Sequence, residues 1–457
     1  MNAGLSRAGA GPSYQELIEE LFPRLTGGIR WGTGRTERLL ASVDDPHRRF
    51  RAVHVGGTNG KGSVSAMLAS ILGGVHPRVG LYTSPHLCTF RERIQIGGVP
   101  VSEAALERAA GRLWSAIQRE GASFFEATTA IAFEAFAQAA VPIAVIEVGL
   151  GGRLDATNVV VPEVSVITNV ALDHADHLGT SLESVAREKA GIIKPGVPVV
   201  TVERDPVVLD LFRRQAEAVG APFHPLDPGR ISDVRVDRSG TRFRLRATPW
   251  GNLDAHVPLI GPHQAINAAL AIQALSVLDQ SLRPSRTAVL DGLRRVRWPG
   301  RFEWVELDDR QWIFDAAHNL AGIEALGRAV AALSVPRPLT AVVGILTDKD
   351  WREMLPALSA IADRVILTIP PSAPVHRRWD PVIAHGAIPA GHAVVMPDLA
   401  EALDYARGAD TGGAILVTGS FHTVGDAMSH LGLAPWAMVG SDVPAGGAHL
   451  PVPEPVV

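Results

Sequence analysis

The heptapeptide Gly57-Thr58-Asn59-Gly60-Lys61-Gly62-Ser63 constrains this chain more than any other feature, because of what flanks it. A short β-branched run over residues 52–55 precedes it, and residues 65–72 after it read as a helix. In a strand-loop-helix unit, glycines let the backbone curl until successive N–H groups face an anion, and the helix N-terminus adds its partial positive charge. Lys61 then sits against the terminal phosphates of a nucleotide, and Ser63 contacts Mg2+ or a phosphate oxygen. Gly62 between Lys61 and Ser63 departs from the common G-x-x-x-x-G-K-[ST] spacing, which points away from ordinary GTPases and kinases.

Further strand-length apolar runs lie at residues 143–148, 164–170, 197–202, 340–343 and 414–417. Alanine-rich stretches with helical periodicity, such as 124–140 and 266–278, lie between them. Strands alternating with helices predict an α/β fold with mostly parallel sheets. Ser13 with Glu16, and Thr180 with Glu183, have capping-box spacing and mark helix starts. At 457 residues the chain is too long for one ordinary core. Trp298-Pro299-Gly300-Arg301-Phe302 interrupts the helical pattern, so the expected division is 1–298 and 299–439. Residues 440–457, rich in Pro, Gly and Ala, are expected to form a mobile tail.

Composition narrows the function classes. No apolar run is long enough to cross a bilayer, and a net charge of −4 without a basic, aromatic-laced block argues against nucleic acid. The single cysteine, Cys88, cannot pair within the chain, and residues 1–12 lack the apolar core of a secretory signal, so the expected compartment is the cytoplasm.

A triphosphate needs a divalent ion, and magnesium takes oxygen ligands. Glu147 stands at the end of an apolar run, where open α/β sheets collect ligand-binding groups, and the glycine-rich Gly149–Asn158 stretch follows it; a strand-end ion pair is the alternative. Asp173-His174 follows the run at 164–170. Taken on residue type alone, His174 reads as an acid/base or hydrogen-bonding group, since imidazole is an uncommon magnesium ligand.

These segments occur in a fixed order: 57–63, Thr83-Ser84-Pro85-His86-Leu87, Phe124-Phe125-Glu126-Ala127, 147–158, Asp173-His174, Arg187-Glu188-Lys189-Ala190-Gly191, Phe314-Asp315-Ala316-Ala317-His318-Asn319 and Gly419-Ser420-Phe421-His422-Thr423. Together they resemble the folylpolyglutamate synthase and dihydrofolate synthase family of the Mur-ligase superfamily, over nearly all the chain except its two ends. The resemblance implies an N-terminal P-loop ATPase domain and a smaller, Rossmann-like C-terminal α/β domain that closes over the site. It assigns Ser84, Glu147 and His174 to two Mg2+ ions, and Lys189 to a lysine carried as a carbamate. Asn267, Arg301 and Asp315 join Gly57, Thr58, Asn59, Gly60, Lys61, Gly62 and Ser63 as ATP contacts. His318 and Ser420 receive glutamate; Phe124, Phe125, Glu126, Leu154, Asp155 and Ala156 belong to the pterin region. Phe124 and Phe125 could equally be core residues, and at least one of them is expected to be. Lys61, His174, Lys189 and His318 are the catalytic candidates. Leu320 departs from the proline usual after His-Asn, and residues 30–35 match the N-terminal folate region loosely.

The implied activity is ATP-dependent addition of L-glutamate to dihydropteroate, to a reduced folate, or to both, through an acyl phosphate. The substrates are small molecules and the implied state is a monomer. A peptidoglycan-precursor Mur ligase is the nearest rival. Such enzymes carry a whole domain before the phosphate loop, whereas residues 1–56 are shorter than a usual domain of roughly 100 residues. A nucleotide-binding switch would need the loop without His318, Ser420 or Lys189.

Overall fold

The computed structural model describes residues 11–27, 30–172, 178–389, 391–409 and 412–436. Strands β1 (Arg51–Gly56), β2 (Gly80–Tyr82), β3 (Ile94–Ile96), β4 (Val99–Pro100), β5 (Ile143–Glu147), β6 (Val164–Ile167), β7 (Val199–Thr201) and β8 (Phe223–Pro225) form one sheet in the order β4-β3-β2-β5-β1-β6-β7-β8. It is parallel from β2 to β8, with antiparallel β3 and β4 at one edge. Side chains alternate across a strand, so Val53, Val55 and Val145 share one core with helices Lys61–Gly73 and Pro262–Ser276. Ala52, Ala144 and Ile146 share the other with helices Glu103–Glu120 and Phe124–Gln138. Burial on both faces is why Ile143–Ile146 of β5 reads as an unbroken apolar run and why β1 is interrupted only by the buried His54.

An antiparallel sheet of β9 (Ile231–Asp237), β10 (Gly240–Thr248) and β11 (Gly251–Val257) follows. The chain then enters a third sheet of β12 (Glu303–Leu307), β13 (Arg310–Phe314), β14 (Leu339–Val343), β15 (Arg364–Leu367), β16 (Ala393–Val395) and β17 (Ala414–Thr418), ordered β12-β13-β17-β14-β15-β16. Only the β12–β13 pair is antiparallel. Ile313 and Leu416 face one core, Trp312, Phe314 and Ile415 the other. The molecule is therefore mixed α/β, with a large, mainly parallel sheet and a second α/β unit after it.

Several local expectations shift by a few residues. The Ser13–Glu16 capping box is present. The Thr180–Glu183 box is not: Ser181 is the N-cap of helix Leu182–Ala190, its Oγ accepting from Ser184 N at 3.1 Å. The strand expected over 164–170 ends at Ile167, because the chain beyond it leaves the sheet to bond the loop after β1. The helix after that loop starts at Lys61 rather than at residue 65. Among the described residues no helix is long and apolar enough to cross a membrane. The tail expected over 440–457 lies outside the described residues.

Candidate active site

The loop leaves the carboxyl end of β1, between β5 and β6, the position at which parallel sheets open a crevice. Its first amides are fixed by the segment after β6: Thr58 N donates to Asn169 O at 2.7 Å and Asn59 N to Asn169 Oδ1 at 2.9 Å. Gly60, at φ +84°, is the helix N-cap, and a Cβ there would stand 2.7 Å from Asn267 Oδ1. The first-turn amides of Lys61, Gly62 and Ser63 therefore have no intrahelical acceptor and remain for a ligand. Gly62 has a tertiary reason: a Cβ would meet Trp298 Cζ2 at 2.7 Å. Lys61 Nζ donates to Thr58 O at 3.0 Å, folded onto its own loop.

Glu147 ends β5 beside this loop, 4% exposed, accepting from Ser84 N at 3.2 Å. Burial pushes its carboxyl above the usual range, while the Lys61 ammonium, the Ser84 amide and the Arg301 guanidinium pull it back. Lys189, 3% exposed, donates from Nζ to Gly57 O at 2.8 Å, so it is no surface lysine. Among the described residues no three His, Cys, Asp or Glu side chains gather into a metal cluster. One carboxylate with the hydroxyls of Ser63 and Ser84 on the same cavity wall still suits magnesium, which keeps waters and takes its other oxygens from phosphates. His174 lies outside the described residues.

The third sheet supplies the opposite wall. Asp315, just after β13, accepts from Phe302 N at 2.8 Å and Ala317 N at 2.9 Å, and burial raises its carboxyl while Arg301 lowers it. Arg301 lies 4.7 Å from the Phe421 ring centroid. His318 Nδ1 is 3.0 Å from Ala316 O. A carbonyl only accepts, so Nδ1 carries the hydrogen and Nε2 is the acceptor of the neutral ring. Asn319 Nδ2 donates to Asn59 Oδ1 at 3.1 Å, joining the two units across the loop. Between them is a cavity of about 530 Å³ lined by Gly57–Ser63, Ser84, Glu147, Lys189, Asn267, Arg301, Asp315 and His318.

The Mur ligase middle domain matches residues 55–275, and the Mur ligase glutamate ligase domain matches residues 300–421. The chain is 37% identical over 363 residues to dihydrofolate synthase/folylpolyglutamate synthase of Bacillus subtilis, a match spanning 77% of this chain and 84% of that one. It belongs to the folylpolyglutamate/dihydrofolate synthase family of Mur ligases. The Escherichia coli relative is 34% identical over 390 residues, 82% of this chain and 85% of its own. Among solved structures, Mycobacterium tuberculosis folylpolyglutamate synthase complexed with ADP and AMPPCP superposes with a TM-score of 0.83 at 32% identity, covering 92% of this chain and 98% of that one. E. coli FolC in complex with DHPP and ADP gives 0.80 at 32% identity, covering 92% and 97%.

Within this family member, seven of the expected site residues stand off the cavity wall. Phe124 is a core residue, 3% exposed, meeting the edges of Phe22 and Phe90. Phe125 is half-buried with its ring against Gly149 and Tyr82. Glu126 completes a capping box with Ser123 and pairs with Arg35 at 2.7 Å. Asp155 accepts from Leu150 N, Thr157 N and Thr157 Oγ1, which ties the turn that carries Leu154 and Ala156. Gly32 N donates to Leu154 O, bringing the N-terminal 30–35 segment to the same turn. Ser420 is the N-cap of helix Phe421–His430; Thr423 Oγ1 donates to Gly344 O, so the Ser420 hydroxyl donates to Thr423. Asn169, Trp298, Asn319 and Phe421 were not singled out as site residues in the sequence, though Trp298, Asn319 and Phe421 lie inside its quoted motifs.

Proposed function

We propose that this protein adds L-glutamate to a folate-type carboxylate with ATP, releasing ADP and phosphate. The observation that carries the reading is the shared cavity, which sets the phosphate loop, Glu147 and Lys189 opposite Arg301, Asp315 and His318. A free carboxylate does not form an amide in water because oxide is the leaving group. Attack of a carboxylate oxygen on the γ-phosphorus, with cleavage of the bond to ADP, gives an acyl phosphate whose leaving group is phosphate. Lys61, the first-turn amides and Arg301 neutralise the charge that develops on the transferred group. The glutamate amine then attacks the acyl carbon and sheds a proton, for which His318 Nε2 is the acceptor. Phosphate leaves, and the wall formed by Arg301 and Phe421 keeps water from the acyl phosphate.

Glu147, with Ser63 and Ser84, would hold magnesium, with His174 as the ligand the family implies. When bound, the ion offsets phosphate charge. Carboxylation of Lys189 would turn the ammonium now bonded to Gly57 O into an anion able to support a second ion. Residues 1–298 and 299–439 are taken as the two domains of a cytoplasmic monomer. Relatives named for both activities support action on dihydropteroate as well as reduced folates. Purified protein with ATP, Mg2+ and L-glutamate is offered dihydropteroate or tetrahydrofolate, and products are resolved by mass. A gain of one glutamyl residue on each acceptor is expected; product from neither would end the folate reading, and product from tetrahydrofolate alone would end the dual one.

A further inference from the structure

Arg301 shares the cavity wall with the phosphate loop, yet among the described residues its guanidinium forms no ion pair. Two carboxylates, Asp315 and Glu147, lie near enough to act on its charge. Both are engaged by backbone amides instead, Asp315 with Phe302 N and Ala317 N, and Glu147 with Ser84 N. Within the described residues the guanidinium donates only from Nη1 to Gly300 O, next to it in the chain, at 3.0 Å. Most of its N–H donors are therefore uncommitted.

What holds the guanidinium is aromatic. Its Cζ lies 4.7 Å from the Phe421 ring centroid and 6.0 Å from that of Trp298. A ring attracts a cation through its quadrupole and takes up no N–H, whereas a carboxylate would occupy the same donors a phosphate needs. The two rings have different supports. Trp298 packs against the core of the first unit, and its indole fills the place of a Gly62 side chain, since a Cβ there would stand 2.7 Å from Cζ2. Phe421 packs against a core of the second unit at the start of helix Phe421–His430. Its ring also leans on His318, with centroids 5.4 Å apart and planes at 49°. The phosphate loop thus backs one ring, and the acceptor of the amine proton touches the other.

We propose that Trp298 and Phe421 are positioning residues whose rings bracket the Arg301 guanidinium, one from each unit, and leave its donors free for the phosphoryl group in transfer. This rests on the ligase reading above and adds to it the residues that make Arg301 effective. A guanidinium held by a carboxylate would have to break that pair in every turnover; one held by rings is already oriented when the nucleotide binds. Because each unit supplies one ring, the arginine is fixed only where the two units meet.

The test removes each ring with Trp298→Leu and Phe421→Leu, keeps one with Trp298→Phe and Phe421→Tyr, and repeats all four in an Arg301→Ala background. Calorimetry compares ADP with AMPPCP, a triphosphate analogue that cannot transfer its phosphoryl group. ADP formation is followed with ATP, L-glutamate and either dihydropteroate or tetrahydrofolate. Each Leu variant is expected to lower kcat roughly tenfold and AMPPCP affinity about fivefold, with ADP affinity held within about twofold. The ring-keeping variants should recover most of both losses, a recovery that a purely structural role in the fold would not require. With Arg301→Ala present, the Leu substitutions should cost nothing further. Unchanged kcat and AMPPCP affinity in both Leu variants, an equal loss for ADP, ring-keeping variants as damaged as the Leu ones, or losses that add to that of Arg301→Ala would overturn the proposal. If the unaltered protein glutamylates neither acceptor, the ligase reading fails, and the AMPPCP-to-ADP affinity ratio still decides whether the rings act through Arg301.

Discussion

Around β1 the groups that face the cavity belong largely to the backbone and to residues locked beneath it: first-turn amides, Lys61 folded onto Thr58 O, Lys189 bonded to Gly57 O. Around β13 and β17 they are side chains at the starts of helices, Asp315 and His318 before helix Leu320–Ala332 and Phe421 at the start of helix Phe421–His430. Both sheets use the same device, the carboxyl ends of parallel strands, but to different effect. An anion of fixed shape suits a rigid cradle of amides. A second substrate that must arrive, react and leave suits side chains on a separate unit, which meets the first through the Asn59–Asn319 hydrogen bond, a close approach of Leu87 to Gly425, the Arg238–Trp304 contact and packing of Ile260 and Leu87 into the second unit's cores.

The sharpest way to break that contrast is Lys61→Ala. ADP formation should fall by about a thousandfold or more with any acceptor, as for loss of a group aimed at transition-state charge; substantial glutamate-dependent turnover would contradict the role given to the first unit. His318→Ala should lower amide formation roughly a hundredfold, yet leave ADP binding by calorimetry intact. Equal damage to nucleotide binding would dissolve the division of labour. Gly425→Ala tests the approach between units alone, since a Cβ there would stand 1.9 Å from Leu87 O. About a tenfold drop in kcat is expected, with nucleotide affinity of the free protein unchanged.

Two smaller effects concern stability. Burial raises the Glu147 carboxyl, so the folded state binds that proton more readily than the unfolded one, and stability is lost as pH rises through the raised value. Glu147→Gln keeps the acceptor for Ser84 N and removes the buried charge, so in metal-free buffer at pH 7.5 it should raise Tm by about 2 °C; a lower Tm would show the charge to be compensated. The histidines act in the opposite sense. Burial holds His54 down to about 3 and His263 and His422 to about 4, so the folded protein keeps them neutral. Unfolded chains take up those protons below about pH 6.5, and stability falls as pH drops from there towards the folded values. His54 Nε2 meets Thr157 Oγ1 at 2.9 Å deep in the first unit. His54→Gln should flatten the decline by about 1.4 kcal/mol per pH unit at most, measured by denaturant unfolding between pH 6.5 and 4.5; an unaltered slope would place the acid sensitivity elsewhere.

Local signals were legible where the physics is local. Ser13 and Glu16 form their box within one turn, and the loop after β1 declares itself through glycines at fixed offsets from a strand and a helix. The same reading misplaced the cap of helix Leu182–Ala190 by one residue, since Thr180, Ser181 and Ser184 offer competing hydroxyls that only the backbone path separates. The 164–170 run ended early because Asn169 is drawn to a loop 110 positions before it. Phe124 and Phe125 looked alike in sequence, and burial assigned the first to the core and left the second against Gly149.

The sequence by itself determined that an α/β chain would carry an anion-binding loop after an early strand and a second strand-helix series after Trp298, because periodicity and turn chemistry act over a few residues. It also marked Gly62 as unusual without saying why. Only the tertiary structure supplied the reason, the Trp298 indole lying where a side chain would be. The same holds for Lys189 beneath Gly57, for Asn319 bonded to Asn59 from 260 positions away, and for Arg93 buried between His86 and the Phe124 ring. Burial and pairing arise from which surfaces meet when the chain is closed, and spacing along the sequence carries no record of that.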